Sequence, residues 1–114
     1  MIKISKLSIF LLFVFIIITP QKILANQKLK IGLLIPLSED NQEIGQQIIK
    51  TVRMAINDIN SENIEIIVKD TKSNPNNTLK SAIELKNENV KIVIGPVFYQ
   101  NLVNLDEVED LIFL

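Results

Sequence analysis

Lys28–Ser38, KLKIGLLIPLS, decides how the rest of the chain is read. Ile31, Leu33, Leu34 and Ile35 make a short apolar run. It is too short to cross a membrane and lacks a polar face, so it predicts a strand buried on both sides. Pro36 ends it, because proline has no N–H to give to the next rung of a sheet. Leu37-Ser38-Glu39-Asp40-Asn41 opens a polar loop that leads into a helical pattern. A buried strand, a polar turn at its carboxyl end and a helix make the first unit of an open parallel α/β sheet. Ligands of such sheets sit outside the carboxyl ends of the strands. Ser38 and its spatial neighbours are therefore the first place to look for function.

Downstream, Asn41–Asn60 carries Ile44, Ile48, Ile49, Val52, Ala55, Ile56 and Ile59. Spacings of three and four put these on one stripe of a helix. Gly45 falls in its first turn, where a missing side chain permits close packing on the sheet. Ile64–Val68 reads as the second strand, and Lys69–Asn74 as a loop. Asn74-Pro75 starts the second helix, Asn as the cap and Pro in the first turn. Its stripe is read through Leu79, Ala82, Ile83 and Lys86, with the lysine stem covering the end. Val90–Ile94 is the third strand, stopped by Gly95-Pro96. Leu102, Val103, Leu105 and Val108 suggest a short third helix, with Asp106, Glu107, Glu109 and Asp110 exposed. Leu111–Leu114 reads as a fourth strand. The expected fold class is α/β: an open parallel sheet with flanking helices on both faces. A chain that stops within a buried strand has no loop to bring its end to the surface, so the expectation is truncation. A partial lobe also leaves apolar helix surface and a sheet edge open.

Upstream, Met1–Ala25 has the three zones of a secretory signal peptide. Lys3 and Lys6 precede an apolar core, Leu7–Thr19, and Ala25 offers a small residue for cleavage. The core is about 13 residues, short of the roughly 20 that a spanning helix needs. An uncleaved anchor is the alternative reading. The expected organisation is a signal peptide over 1–25 and a partial lobe over 26–114, with no stable membrane span after cleavage. No Cys follows the apolar core, so no lipid anchor is expected there.

The chain has no Cys and no His. That removes Ser-His-Asp triads, Cys-His nucleophile pairs, zinc fingers and disulfide frameworks. The formal net charge is −1, which gives no footprint for nucleic acid. Losing Met1–Ala25 removes Lys3, Lys6 and Lys22 and no acid, so the mature chain is more acidic still, about −4. Such a chain lacks the lysine and arginine clusters of a membrane-surface binder.

The candidate contacts follow from the fold. The Ser38 hydroxyl, at the carboxyl end of the first strand, can donate to a ligand carboxylate; a turn or capping role is the alternative. Phe98, Tyr99 and Gln100 leave the third strand, the expected neighbour of the first. Tyr99 can stack on an apolar ligand and donate its hydroxyl, or pack on the following helix. Asp70 ends the second strand, further from the expected cleft, and reads as a loop-forming Asx residue. Glu39 and Asp40 read as a solvated loop rather than a metal site, because no other hard ligands are placed to join them. Asn76-Asn77-Thr78 matches a glycosylation sequon and is treated as chance in an Asn-rich chain. Gly32, Gly45 and Gly95 lie too far apart for a phosphate cradle. No catalytic residue, metal or cofactor is expected, and no acid–base pair is recognisable.

These pieces in order resemble the amino-terminal lobe of type I periplasmic binding proteins, the Leu/Ile/Val-binding family. The resemblance rests on IGLLIPLS, a long helix ending MAINDIN, IEIIVKDT, SNP opening the second helix, and VKIVIGPV. It runs from about Lys28 to Leu114. The family has two hinged lobes that close on a small ligand, so the resemblance implies that this chain is part of one lobe. It implies an exported, periplasmic, non-enzymatic protein that binds an amino acid or similar ligand and serves an ABC permease. A second branch, the penicillin-binding-protein activators, shares the fold and stimulates a peptidoglycan synthase. The short turn NSEN and the sequence GPVF look more like that branch. Residues 97–100 are Val-Phe-Tyr-Gln, where solute receptors commonly carry small hydroxyl residues.

Overall fold

The computed structural model describes Ser5, Lys6 and residues 27–114. Apart from Ser5 and Lys6, the segment read as a signal peptide lies outside the described residues. Four strands, β1 (Leu29–Ile35), β2 (Ile64–Asp70), β3 (Ile92–Ile94) and β4 (Ile112–Phe113), alternate with two helices, α1 (Gln42–Ile59) and α2 (Pro75–Asn87), and three short 3-10 turns. All pairings are parallel, and the strand order is β2-β1-β3-β4. The sheet is thus the open parallel α/β sheet that the sequence predicts. Among the described residues no helix is long and apolar enough to cross a membrane.

β1 pairs with β2 from Leu29 opposite Ile64 to Ile35 opposite Asp70. On its other side Ile31, Gly32 and Leu33 face Ile92, Val93 and Ile94. The chain therefore steps one way from β1 to β2 and back across to β3. Parallel crossovers are right-handed, so steps in opposite directions put α1 and α2 on opposite faces.

The face toward α2 is closed. A methyl group on Gly32 would sit 2.7 Å from Leu85 Cδ1, which shows how tightly the helix lies on β1. Leu34, Ala82, Leu85, Val90, Val93, Leu105 and Val108 form the core, with Ile67, Leu79, Leu111 and Phe113 packed at its rim. The buried stripe of α2 runs through Thr78, Ser81, Ala82 and Leu85. This corrects the stripe expected through Ile83, which is 45% exposed. Two short hydroxyl residues can take buried places because both are satisfied. Thr78 donates to the Asn74 carbonyl at 2.8 Å, and Ser81 to the Asp70 carbonyl at 3.3 Å. The expected cap is present: Asn74 Oδ1 accepts from the N–H groups of Asn76 and Asn77 at 2.9 and 3.2 Å.

The face toward α1 is open at its flanks. Leu33 and Ile35, the β1 residues of opposite parity, are buried, while Ile31, Ile66, Val68, Ile92 and Ile94 are half-buried. Gly45 is the one fully buried residue of α1. A Cβ there would fall 1.8 Å from the Pro36 carbonyl oxygen, so the helix start presses directly on the end of β1.

The expected third helix is replaced by two 3-10 turns, Tyr99–Leu102 and Leu105–Glu107. Val103 is extended and Asn104 adopts a left-handed φ of 64°, which breaks any continuous helix between them. Leu105 and Val108 reach the core, whereas Leu102 and Val103 stay exposed.

Candidate ligand site at the carboxyl edge

The site is assembled by register. Because Ile35 stands opposite Asp70, the residues that leave β1 pass beside the end of β2. Asp70 Oδ1 accepts from Leu37 N–H at 2.9 Å and from Lys72 N–H at 2.8 Å. Asp70 Oδ2 accepts from the Ser38 hydroxyl at 2.7 Å. The Lys72 contact is the Asx turn that the sequence predicts; the other two tie the β1 exit loop to the β2 exit loop. A further bond, Asn41 Nδ2 to Ser73 Oγ at 3.1 Å, joins the same two loops. Glu39, Lys72 and Ser73 all hold positive φ, at 64°, 50° and 51°. Such backbone is uncommon for these residue types and survives where surrounding contacts enforce it.

Partial burial pushes the Asp70 carboxyl up. The hydrogen bonds from Leu37, Ser38 and Lys72, with the nearby Lys72 charge, outweigh it and hold the group below its ordinary value. A carboxylate stabilised in this way is a poor base for a serine hydroxyl. The chemistry of the Ser38–Asp70 pair is hydrogen bonding rather than proton abstraction.

On the other side of β1, the chain leaves β3 through Gly95, at φ 102°. A Cβ there would lie 2.4 Å from the Leu34 carbonyl oxygen, so only glycine lets β3 run this close to β1. The Gly95-Pro96 peptide is cis. Phe98 is half-buried, Gln100 is exposed, and Tyr99 is 79% exposed. Ser38 turns toward β2 whereas Phe98, Tyr99 and Gln100 rise from β3, so the four candidates flank β1 on opposite sides.

Sequence reasoning gave Asp70 a local role only; its bonds to Leu37 and Ser38 depend on a register that no local pattern encodes. It also passed over Asn101. That residue is 1% exposed, and its Nδ2 has no hydrogen-bond partner among the described residues. Glu39 and Asp40 are exposed in a 3-10 turn. Among the described residues no three acidic side chains converge as a metal site would require.

Comparison with known proteins agrees with this architecture. A family model described as periplasmic binding protein matches residues 28–106. The C-domain of LpoA (YraM) from Haemophilus influenzae, a regulator of PBP1A, is 27% identical with a TM-score of 0.61, over 74% of this chain and 26% of that one. Full-length LpoA from Haemophilus influenzae is 28% identical with a TM-score of 0.62, over 76% and 16%. A solute binding protein of an ABC transporter from Rhodopseudomonas palustris BisB5, solved with 3,4-dihydroxybenzoic acid, is 29% identical with a TM-score of 0.57, over 61% and 20%. Curated proteins give no significant match. The chain thus spans about a quarter or less of the solved proteins it resembles. With the fold, the strand order and a family match over most of its length in agreement, the chain belongs to the periplasmic binding protein family.

Proposed function

We propose that this chain is the ligand-recognising part of an exported binding protein, and that a small polar, amino-acid-like ligand docks at the carboxyl ends of β1 and β3. One observation carries the reading. The strand order β2-β1-β3-β4 puts the reversal of chain direction between β1 and β3, and open α/β sheets bind ligands at such a switch point. Phe98, Tyr99 and Gln100 rise beside that place from β3, and Ser38 leaves β1 next to it with its hydroxyl turned to β2. The proposed organisation keeps residues 1–25 as a cleaved signal peptide and residues 26–114 as the mature periplasmic segment. An ABC permease is the proposed recipient of the ligand. Thermal unfolding of the full chain, with each of the twenty amino acids and 3,4-dihydroxybenzoate, tests this. A true ligand at about 100 times its Kd adds roughly 2.7 kcal/mol, a rise in Tm of roughly 10–20 °C for a domain of this size. A flat response to every compound rejects the small-ligand reading.

A second reading has its own support. The overlap with LpoA is broader, 74–77% of the chain at TM-scores of 0.55–0.62, than with the solute receptor, 61% at 0.57. In this reading the chain acts as an LpoA-like regulator and touches a peptidoglycan synthase instead of a solute. Pull-down with the full chain as bait separates the two. Recovery of a synthase at stoichiometric level supports the regulator, and its absence together with a ligand-induced Tm shift supports the receptor.

A further inference from the structure

The Ser38 hydroxyl has one hydrogen and two lone pairs. It donates that hydrogen to Asp70 Oδ2, with the two oxygens 2.7 Å apart, the length of a charge-assisted bond. The other Asp70 oxygen is filled by two backbone N–H groups, from Leu37 and Lys72. What Ser38 still offers is its lone pairs, made more basic by the carboxylate behind them. The two loops that meet here, 36–41 and 70–74, carry Glu39, Asp40 and Asp70 against Lys72 alone.

We propose that Ser38 and Asp70 form an acceptor-only edge that selects a ligand group with hydrogens to give, an ammonium above all, and turns carboxylates away. This rests on the small-ligand reading and replaces one part of it: the carboxylate expected at Ser38 belongs elsewhere on the ligand's path. To bind there, a carboxylate must take the serine hydrogen from Asp70. That leaves Asp70 Oδ2 without its donor and sets two negative charges side by side. An ammonium needs no such exchange; it donates to Ser38 Oγ and is drawn by the charge behind it. Asp70 is a positioning residue in this scheme, since it fixes which way the serine hydrogen points.

The test uses the full chain and matched probes that differ in one group. L-leucine is compared with 3-methylbutylamine, which keeps only its amine, and 4-methylpentanoate, which keeps only its acid. A second pair is 3,4-dihydroxybenzylamine and 3,4-dihydroxybenzoate. Calorimetric titration is expected to favour the amine of each pair by about tenfold, the scale of one charge-assisted hydrogen bond. Asp70→Asn keeps a carbonyl oxygen for the Leu37 and Lys72 N–H groups but presents an NH2 to Ser38, which turns the serine hydrogen outward. That variant should reverse the preference toward the acid. Ser38→Ala, which leaves both backbone bonds to Asp70 in place, removes the Oγ acceptor but bares Asp70 Oδ2, so the amine should keep its advantage in that variant. Wild-type preference for the acids, or a preference unmoved by Asp70→Asn, overturns this inference alone. Failure of every probe to bind any of the three proteins overturns the small-ligand reading and this inference with it.

Discussion

The two faces of the sheet are built to different standards. On the α2 side, Leu34, Val93, Ala82 and Leu85 are completely buried, and a polar rim secures them. Lys69 of β2 reaches Glu84 of α2 at 3.2 Å and Glu88, just past the helix end, at 2.6 Å. On the α1 side, α1 closes over Leu33 and Ile35 but leaves Ile44 and Ile59 of its own stripe 39% and 65% exposed. The same strands feed both faces, so strand composition does not set the difference. It comes from what lies above them. α2 crosses to β3 and is met there by the 3-10 turn Tyr99–Leu102, with Leu105 joining the core beside it, whereas among the described residues α1 meets only the short turn at its own start beyond the sheet.

If that contrast is sound, mutations on the two faces should rank accordingly in urea unfolding of the full chain. Leu85→Ala, at the centre of the closed face, should cost most, about 2–5 kcal/mol. Gly45→Ala comes next, at about 1–3 kcal/mol, because the new methyl meets the Pro36 carbonyl, which is backbone and has nowhere to go. Asp70→Asn should cost about 1–2 kcal/mol at neutral pH and should also flatten the acid limb of stability. The sign follows from a folded-state pKa held below 3.8. The Asp70 contribution is whole above the ordinary aspartate range and disappears as pH falls through that range to the lower folded value. A variant as acid-sensitive as wild type would break the assignment. Ile59→Ser, on the open stripe and 65% exposed, should change stability by less than about 0.5 kcal/mol. A loss comparable to Leu85→Ala would mean that the α1 face is closed in solution by something beyond the described residues.

How much of this was legible beforehand varies with range. Asn74-Pro75 announced a helix start because capping is settled within three residues, and Gly45 announced close packing because only a missing side chain fits such a place. That the strands run parallel followed from the lengths of the crossovers, and β3 lies beside β1 as expected. The third helix was misread because Leu102, Val103, Leu105 and Val108 have helical spacing while Asn104 takes a left-handed turn in their midst. Ile83 was misread because its hydrophobicity outweighed Thr78 and Ser81, whose hydroxyls find partners only once α2 lies beside β2. Asp70 shows the limit most plainly. Its turn to Lys72 is local and was readable, whereas its grip on Ser38 needs the pairing of residue 35 with residue 70.

That same pairing scheme bears on how the chain folds in time. Of the described strands β1 is synthesised first, yet it lies between β2 and β3, which both come later. Residue 29 must find residue 64, and residue 31 must find residue 92. Each of these long loops has to close before any contact rewards it, so the topology favours slow, non-local folding over a rapid zipping from one end. Until β3 arrives, the apolar strand at the heart of the sheet has one bare edge, the condition in which a nascent chain is most open to chaperones and to aggregation. The strand made first is therefore among the last to be enclosed.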